Sequence, residues 1–277
     1  MSSEQLPEFD TVKIERDGYV AEVLLNRPEA GNAFNAQLFA DVHDAFEALD
    51  NDDHCRAIVL RAEGKAFTYG LDLMSAPVDF GPVLSEGLAG VRLELRRLIV
   101  RLQQQTAKPA EIRKPVVAAV HGWCIGAGLD LISACDIRLC SADARFSLRE
   151  ARVAMVADIG SLQRLPRIIG DAATRELALT AKDIDASRAL SLGLVSQVHD
   201  DREALYAAAR AEAQLIAGLS PVAVQGVKHV LNAQDGMTVQ QGLDYVATWN
   251  AAFVQSEDLK EAIAAFFEKR TPDYKGE

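Results

Sequence analysis

Pro115-Val116-Val117-Ala118-Ala119-Val120-His121-Gly122-Trp123-Cys124-Ile125-Gly126-Ala127-Gly128-Leu129-Asp130-Leu131-Ile132-Ser133-Ala134-Cys135 decides the fold class. It reads as a buried strand, a glycine turn and an apolar segment in succession. The strand has no polar interruption, as burial on both faces requires. Gly122, Gly126 and Gly128 then free the backbone to approach a ligand or a neighbouring segment. Asp130 is the single carboxylate in the apolar segment that follows. Burial there destabilises its charged form and moves its pKa toward the range useful for proton transfer.

The same succession appears earlier. Ala57-Ile58-Val59-Leu60 is a short apolar run, followed by the glycine-bearing turn Gly64-Lys65-Ala66-Phe67-Thr68-Tyr69-Gly70-Leu71-Asp72-Leu73. Ile137–Cys140 and Leu194–Val198 supply further strands, and Val12–Ile14 with Tyr19–Leu25 flank Asp17-Gly18 as a hairpin. Leu38, Phe39, Val42, Ala45, Phe46 and Leu49 share one helical face, with Asn35 as the N-cap. A second helix is expected over residues 81–108, on Leu84, Leu88, Val91, Leu95, Leu98 and Leu102, preceded by a mobile loop from Ser75 to Gly81. From Asp201 to the end the pattern is helical. Strand, glycine turn and helix in repetition predict an α/β core with a buried sheet, and residues 201–277 form a helical region packed on that core or on another subunit.

The chain has 277 residues, 49% hydrophobic and 25% charged, with a formal net charge of −11. No dense Lys/Arg block is present, which argues against nucleic-acid and anionic-membrane binding. No apolar stretch is long enough to span a bilayer, and the N-terminus lacks a basic then apolar leader pattern. Cys55, Cys124, Cys135 and Cys140 form no C-x-x-C pair and sit among apolar neighbours, so free buried thiols in a reducing compartment are expected. A cytoplasmic location follows as an expectation. The five histidines show no metal-ligand spacing, no metal is implied, and His121 reads as a turn or core histidine.

Two more acids, Glu150 and Asp158, follow in a second mostly apolar stretch. Each acid also has a plain structural reading. Asp130 suits a helix start, Glu150 has Arg149 and Arg152 as neighbours to pair with, and Asp158 precedes a helix beginning near Gly160 that it would cap. The two glycine turns offer free amides at strand-to-helix transitions, and if they converge, a pair of N–H groups can bind negative charge developing on a carbonyl oxygen.

Ala66-Phe67-Thr68-Tyr69-Gly70-Leu71-Asp72-Leu73 resembles the A-F-x-x-G-x-D-L turn of the crotonase (enoyl-CoA hydratase/isomerase) superfamily. Lys114-Pro115 through Gly126-Ala127-Gly128 resembles its K-P-x-x-A-x-x-x-G-x-x-x-G-x-G segment. Ser256–Ala262 and Ala265–Pro272 are similar to its ending. The resemblance implies a crotonase-type spiral of repeated ββα units over residues 1–200, a C-terminal helical region mediating trimerisation, and a homotrimer or a hexamer of two trimers. It implies an acyl-CoA substrate whose thioester oxygen meets the amides of Leu71 and Ala127. It also implies CoA or substrate contacts from Arg27, Lys65, Ala66, Gly70, Gly126, Phe267 and Lys269, with no cofactor beyond the CoA of the substrate. Arg27 and Lys65 are equally readable as solvated surface charges.

Glu150 to Pro166 further resembles the E-V-x-V-x-x-x-A-D-x-G-T-L-Q-R-L-P segment of Δ3,5-Δ2,4-dienoyl-CoA isomerases, in which Asp, Glu and Asp share one pocket. That resemblance assigns Glu150 to the C2 proton, Asp158 to the C6 proton and Asp130 to tuning the pair, an order open to permutation. Neighbouring carboxyls of this kind titrate as a coupled set. Hydratases of the superfamily have Glu at the positions of Asp130 and Glu150, so a hydratase is the second reading, and a catalytically silent CoA-binding homologue is the third.

Overall fold

A computed structural model describes residues 7–75, 81 and 88–277. Strands β1 (Val12–Asp17) and β2 (Val20–Leu25) form the expected hairpin, antiparallel, with Asp17 opposite Val20. Gly18 lies at φ +58, the left-handed conformation that a two-residue turn needs. Strands β3 (Ala57–Ala62), β4 (Val116–Val120), β6 (Ile137–Ser141) and β9 (Gln197–His199) then add in parallel, giving the order β1-β2-β3-β4-β6-β9. A smaller sheet holds β5 (Trp123–Ile125), β7 (Arg145–Ser147) and β8 (Asp183–Asp185). Successive units place one strand in each sheet and follow with a helix. β4 and β5 lead to the helix Ala127–Ser133, and β6 and β7 lead to the helix Ser161–Ile168. This is the expected spiral of ββα units.

Strand alternation divides the core into two layers. Ile58, Leu60, Val116, Ala118 and Val120 face one side, with Leu38, Phe39, Val42 and Phe46 of the helix Ala36–Asp50. Ala57, Val59, Val117, Ala119 and Leu139 face the other, against Leu205, Ala209, Ala213 and Ala217 of the helix Arg202–Ala217. With a period of two, an uninterrupted apolar run feeds both faces at once. The three alanines on the covering helix keep its backbone close to the sheet. Asn35 caps Ala36–Asp50 as expected, its side chain accepting from the Leu38 amide at 2.9 Å.

Two expectations shift. The last strand begins at Gln197 rather than Leu194. Leu194 and Val195 are buried, but the Leu194 amide bonds back to Ala189 O at 2.9 Å, closing the helix Ala186–Leu192. The apolar run there reports burial, not ladder pairing. The second helix spans Ala89–Glu111, with Leu102 packed on the core and Leu88 89% exposed. Leu84 and residues 76–80 of the Ser75–Gly81 loop lie outside the described residues. The helices Pro221–Ala233, Val239–Phe253 and Glu257–Glu268 complete the C-terminal region. All four cysteines are free and buried, and no helix among the described residues is long and apolar enough to cross a membrane.

Candidate active site

The two glycine turns converge through backbone hydrogen bonds. Phe67 N donates to His121 O at 2.9 Å, Thr68 N to Trp123 O at 2.8 Å, and Ile125 N to Thr68 O at 3.2 Å. Close approach requires bare α-carbons. A Cβ on Gly70 (φ +86) would stand 2.9 Å from Ile125 O, and one on Gly128 would stand 2.3 Å from Thr68 Cγ2. His121 is a core histidine, held between Gly64 O at 3.1 Å and the Tyr206 hydroxyl at 3.0 Å.

Leu71 and Ala127 meet at a cleft of about 320 Å³, lined also by Gly70, Gly126 and Glu150. Phe34 bridges Leu71 in parallel fashion, its amide donating to Gly70 O at 2.7 Å and its carbonyl accepting from Asp72 N at 2.9 Å. Backbone alternation leaves the Leu71 N–H on the opposite edge. Ala127 opens the helix Ala127–Ser133, so its N–H belongs to the first turn that has no intrahelical acceptor.

Glu150 reaches this cleft because β7 runs beside β5. Gly126 N donates to Ser147 O at 3.0 Å, and Glu150 follows three residues later, with Oε1 only 3.0 Å from where a Cβ on Gly126 would lie. The pairing of Glu150 with a neighbouring arginine does not occur. Arg149 instead makes a two-pronged contact with Asp183, at 3.1 and 2.9 Å, and stacks 4.7 Å above the Trp123 ring, while Arg152 also turns to Asp183. Glu150 Oε2 is buried with no hydrogen-bond partner. Burial raises the Glu150 pKa, and the nearby Asp158 charge adds to the rise.

Asp130 lies beneath, 1% exposed. It does not serve the start of its own helix. Its Oδ1 accepts the Ser161 amide at 2.5 Å and so caps the helix Ser161–Ile168. Its Oδ2 is buried without a partner. Burial pushes Asp130 up to about 7, with Glu150 raising it further while Ser161 and Arg164 oppose the rise. The cap expected of Asp158 is therefore supplied by Asp130. Asp158 has an exposed side chain and is not among the residues lining this cleft, its carbonyl accepting from Gln103 Nε2 at 2.6 Å, and partial desolvation raises its carboxyl pKa. Glu150 thus lies between the other two acids electrostatically, its charge raising Asp130 and that of Asp158 raising it in turn, and of the three only Glu150 lines the cleft.

The remaining expected residues scatter. Arg27 is no free cation: Nη1 donates to Ala33 O, and Nη2 lies 3.2 Å from Asp72 Oδ2, tying the entry loop to the residue after Leu71. Lys65 is exposed and forms no ion pair among the described residues. Ala66 is buried, its carbonyl accepting from Asn32 Nδ2 at 3.0 Å. Phe267 is 77% exposed, and Lys269 is the left-handed cap of the helix Glu257–Glu268; neither lines the cleft. His43, Asp44 and Glu47 cluster on the rim of the helix Ala36–Asp50, an ordinary surface charge group.

Sequence reasoning missed the apolar walls and two polar supports. Tyr69, Leu73, Ile125, Val153 and Met155 line the cleft. The signal available for Val153 and Met155 was their place in the short turn after Glu150, where aliphatic side chains have no core to join. Ser161 and Arg164 support Asp130 through space, and nothing in local pattern points to them.

The sequence pattern of the enoyl-CoA hydratase/isomerase family matches residues 15–277. A Dictyostelium discoideum protein named Delta(3,5)-Delta(2,4)-dienoyl-CoA isomerase, mitochondrial, is 41% identical over 275 residues, covering 98% of this chain and 93% of the relative. An Arabidopsis thaliana protein named Delta(3,5)-Delta(2,4)-dienoyl-CoA isomerase, peroxisomal, is 42% identical over 275 residues, covering 99% of each. The crystal structure of enoyl-CoA hydratase from Bacillus anthracis superposes with a TM-score of 0.88 at 27% identity, covering 97% of this chain and 100% of that one. The mitochondrial and peroxisomal relatives overturn the cytoplasmic expectation. Free buried thiols do not by themselves select one compartment. From residue 15 to its last helix, this chain belongs to the enoyl-CoA hydratase/isomerase family.

Proposed function

We propose that the chain converts 3,5-dienoyl-CoA to 2,4-dienoyl-CoA by proton transfer. The observation that carries the reading is the acid series beside two converging amide edges, since this isomerisation needs proton exchange at two separated carbons. The thioester oxygen is received by the amides of Leu71 and Ala127, where one well-placed donor contributes about 3 kcal/mol to stabilising an enolate. Glu150, ionised, takes the C2 proton, and the negative charge spreads along the acyl chain toward C6. Asp158, protonated, delivers a proton at C6. No net proton is consumed, and the two carboxyls return to their starting states by exchange with water. Asp130 sets the balance of charge beneath Glu150. The apolar side chains of Tyr69, Leu73, Val153 and Met155 suit an acyl chain, and exposed Lys65 suits a CoA phosphate. No cofactor beyond the CoA of the substrate enters this scheme.

Self-association completes the proposal. Leu259, Ile263, Phe266 and Phe267 form an exposed stripe at i, i+4, i+7 and i+8 on the helix Glu257–Glu268, and a trimer or a pair of trimers would bury it.

The test supplies purified protein with a 3,5-dienoyl-CoA and, separately, a 2-enoyl-CoA, following the rise of the conjugated 2,4-diene absorbance or the loss of the enoyl chromophore. Diene formation is expected, and Asp158→Asn is expected to suppress it in a folded protein. Hydration alone would assign the chain to the hydratases, and tight CoA binding with neither reaction would make it a silent homologue.

A further inference from the structure

Asp130 is held by a device that the catalytic scheme leaves unexplained. The helix Ser161–Ile168 donates the Ser161 amide to it at 2.5 Å and carries Arg164 one turn further on, whose guanidinium makes no hydrogen bond to Asp130 but whose charge favours its anion. Arg164 is costly where it stands. Its Nη1 is buried and has no hydrogen-bond partner, and the carboxyls acting on it are those of Asp130 and Glu111. Room for it comes from Gly160. A Cβ at that position would lie 1.9 Å from Arg164 Nη1, and the φ of +139 there is one that side-chain-bearing residues rarely adopt. A buried cation with an unused donor, seated against a glycine, is poor design for stability. It is sound design for holding a nearby anion.

We propose that Arg164 is a positioning residue, whose charge keeps the buried Asp130 able to ionise beneath Glu150. The inference rests on the acid-series reading of the site. The groups that face Asp130 are Glu150 from the turn after β7, Cys124 from β5, and Ser161 and Arg164 from the capped helix. Burial and Glu150 favour the neutral acid, while the Ser161 amide and Arg164 favour the anion. Without Arg164, Asp130 stays protonated through neutral pH. The repulsion that it exerts on Glu150 when ionised is then lost.

The experiment follows Asp130 directly, with 13C-carboxyl-labelled aspartate in the full chain and the resonance assigned by its disappearance in Asp130→Asn. In Arg164→Met the Asp130 midpoint is expected to move upward by about one pH unit, the effect of losing a nearby opposite charge. Arg164→Lys, which keeps the charge, is expected to restore most of the wild-type midpoint. If the Met variant does not fold, Arg164→Gln carries the same comparison. The kcat–pH profile for dienoyl-CoA is expected to shift with the resonance while KM is unchanged. An Asp130 midpoint that is the same in wild type and in the charge-removed variant overturns the proposal. Because the resonance is read without turnover, absence of isomerase activity would sink the functional reading and leave this test standing.

Discussion

Asp130→Asn makes the burial of the acid measurable as stability. The carboxyl is raised from its ordinary 3.8 to about 7. A group with a raised folded-state pKa binds more protons when folded, so its ionisation destabilises the fold as pH climbs from about 4 to about 7. At about 1.4 kcal/mol per pH unit, the wild type loses on the order of 4 kcal/mol through this residue across that window. Asparagine has nearly the same shape, and its carbonyl can still accept the Ser161 amide, but it cannot ionise. The variant is therefore expected to be close to wild type near pH 4 and to gain on it steadily, becoming more stable by about 4 kcal/mol above pH 7. Activity is expected to fall over the same range. Urea unfolding of both proteins at pH 4.5, 6 and 8, at one fixed protein concentration, gives the difference directly. A stability difference that does not change with pH would refute the burial argument, because only an ionisation confined to the wild type produces the slope.

Gly128→Ala is expected to cost about 2 kcal/mol, because the new methyl overlaps buried Thr68 and Cys124, whereas Gly90→Ala in an open stretch of helix is expected to be neutral or stabilising by up to about 1 kcal/mol. Thermal unfolding of the two variants side by side checks this, and Gly128→Ala should also weaken acyl-CoA binding by separating the two turns. Arg27→Ala is expected to lower stability by about 1 to 3 kcal/mol by leaving Asp72 and Ala33 O without their partner. Its effect on kcat/KM should be equal for a full CoA thioester and for a truncated pantetheine thioester, and a loss specific to CoA would instead make Arg27 a phosphate ligand.

Much of the architecture was legible because it depends on local pattern. The hairpin at Asp17-Gly18, the Asn35 cap and the buried strands at Ala57 and Val116 follow from turn chemistry, capping and uninterrupted apolar runs. The strand near Leu194 was displaced because burial and ladder pairing leave the same apolar trace in one dimension. The site was legible as a set of acids and glycines but not as a geometry. The exchange of roles by which Asp130 caps the helix at Ser161, and the diversion of Arg149 and Arg152 to Asp183, depend on which segments fold side by side.

The sequence by itself determined the strand, glycine turn and helix units, the three acids and the two turns, because each is written within a few neighbouring residues. The tertiary structure alone decided what those groups experience. Pairing β5 with β7 set Glu150 over Gly126, and packing the helix Ser161–Ile168 beneath them gave Asp130 an amide, a cation one helical turn further on and a buried setting. A carboxyl's residue type fixes which proton it can carry. The dielectric, the donors and the charges brought to it by the fold fix the pH at which it lets that proton go.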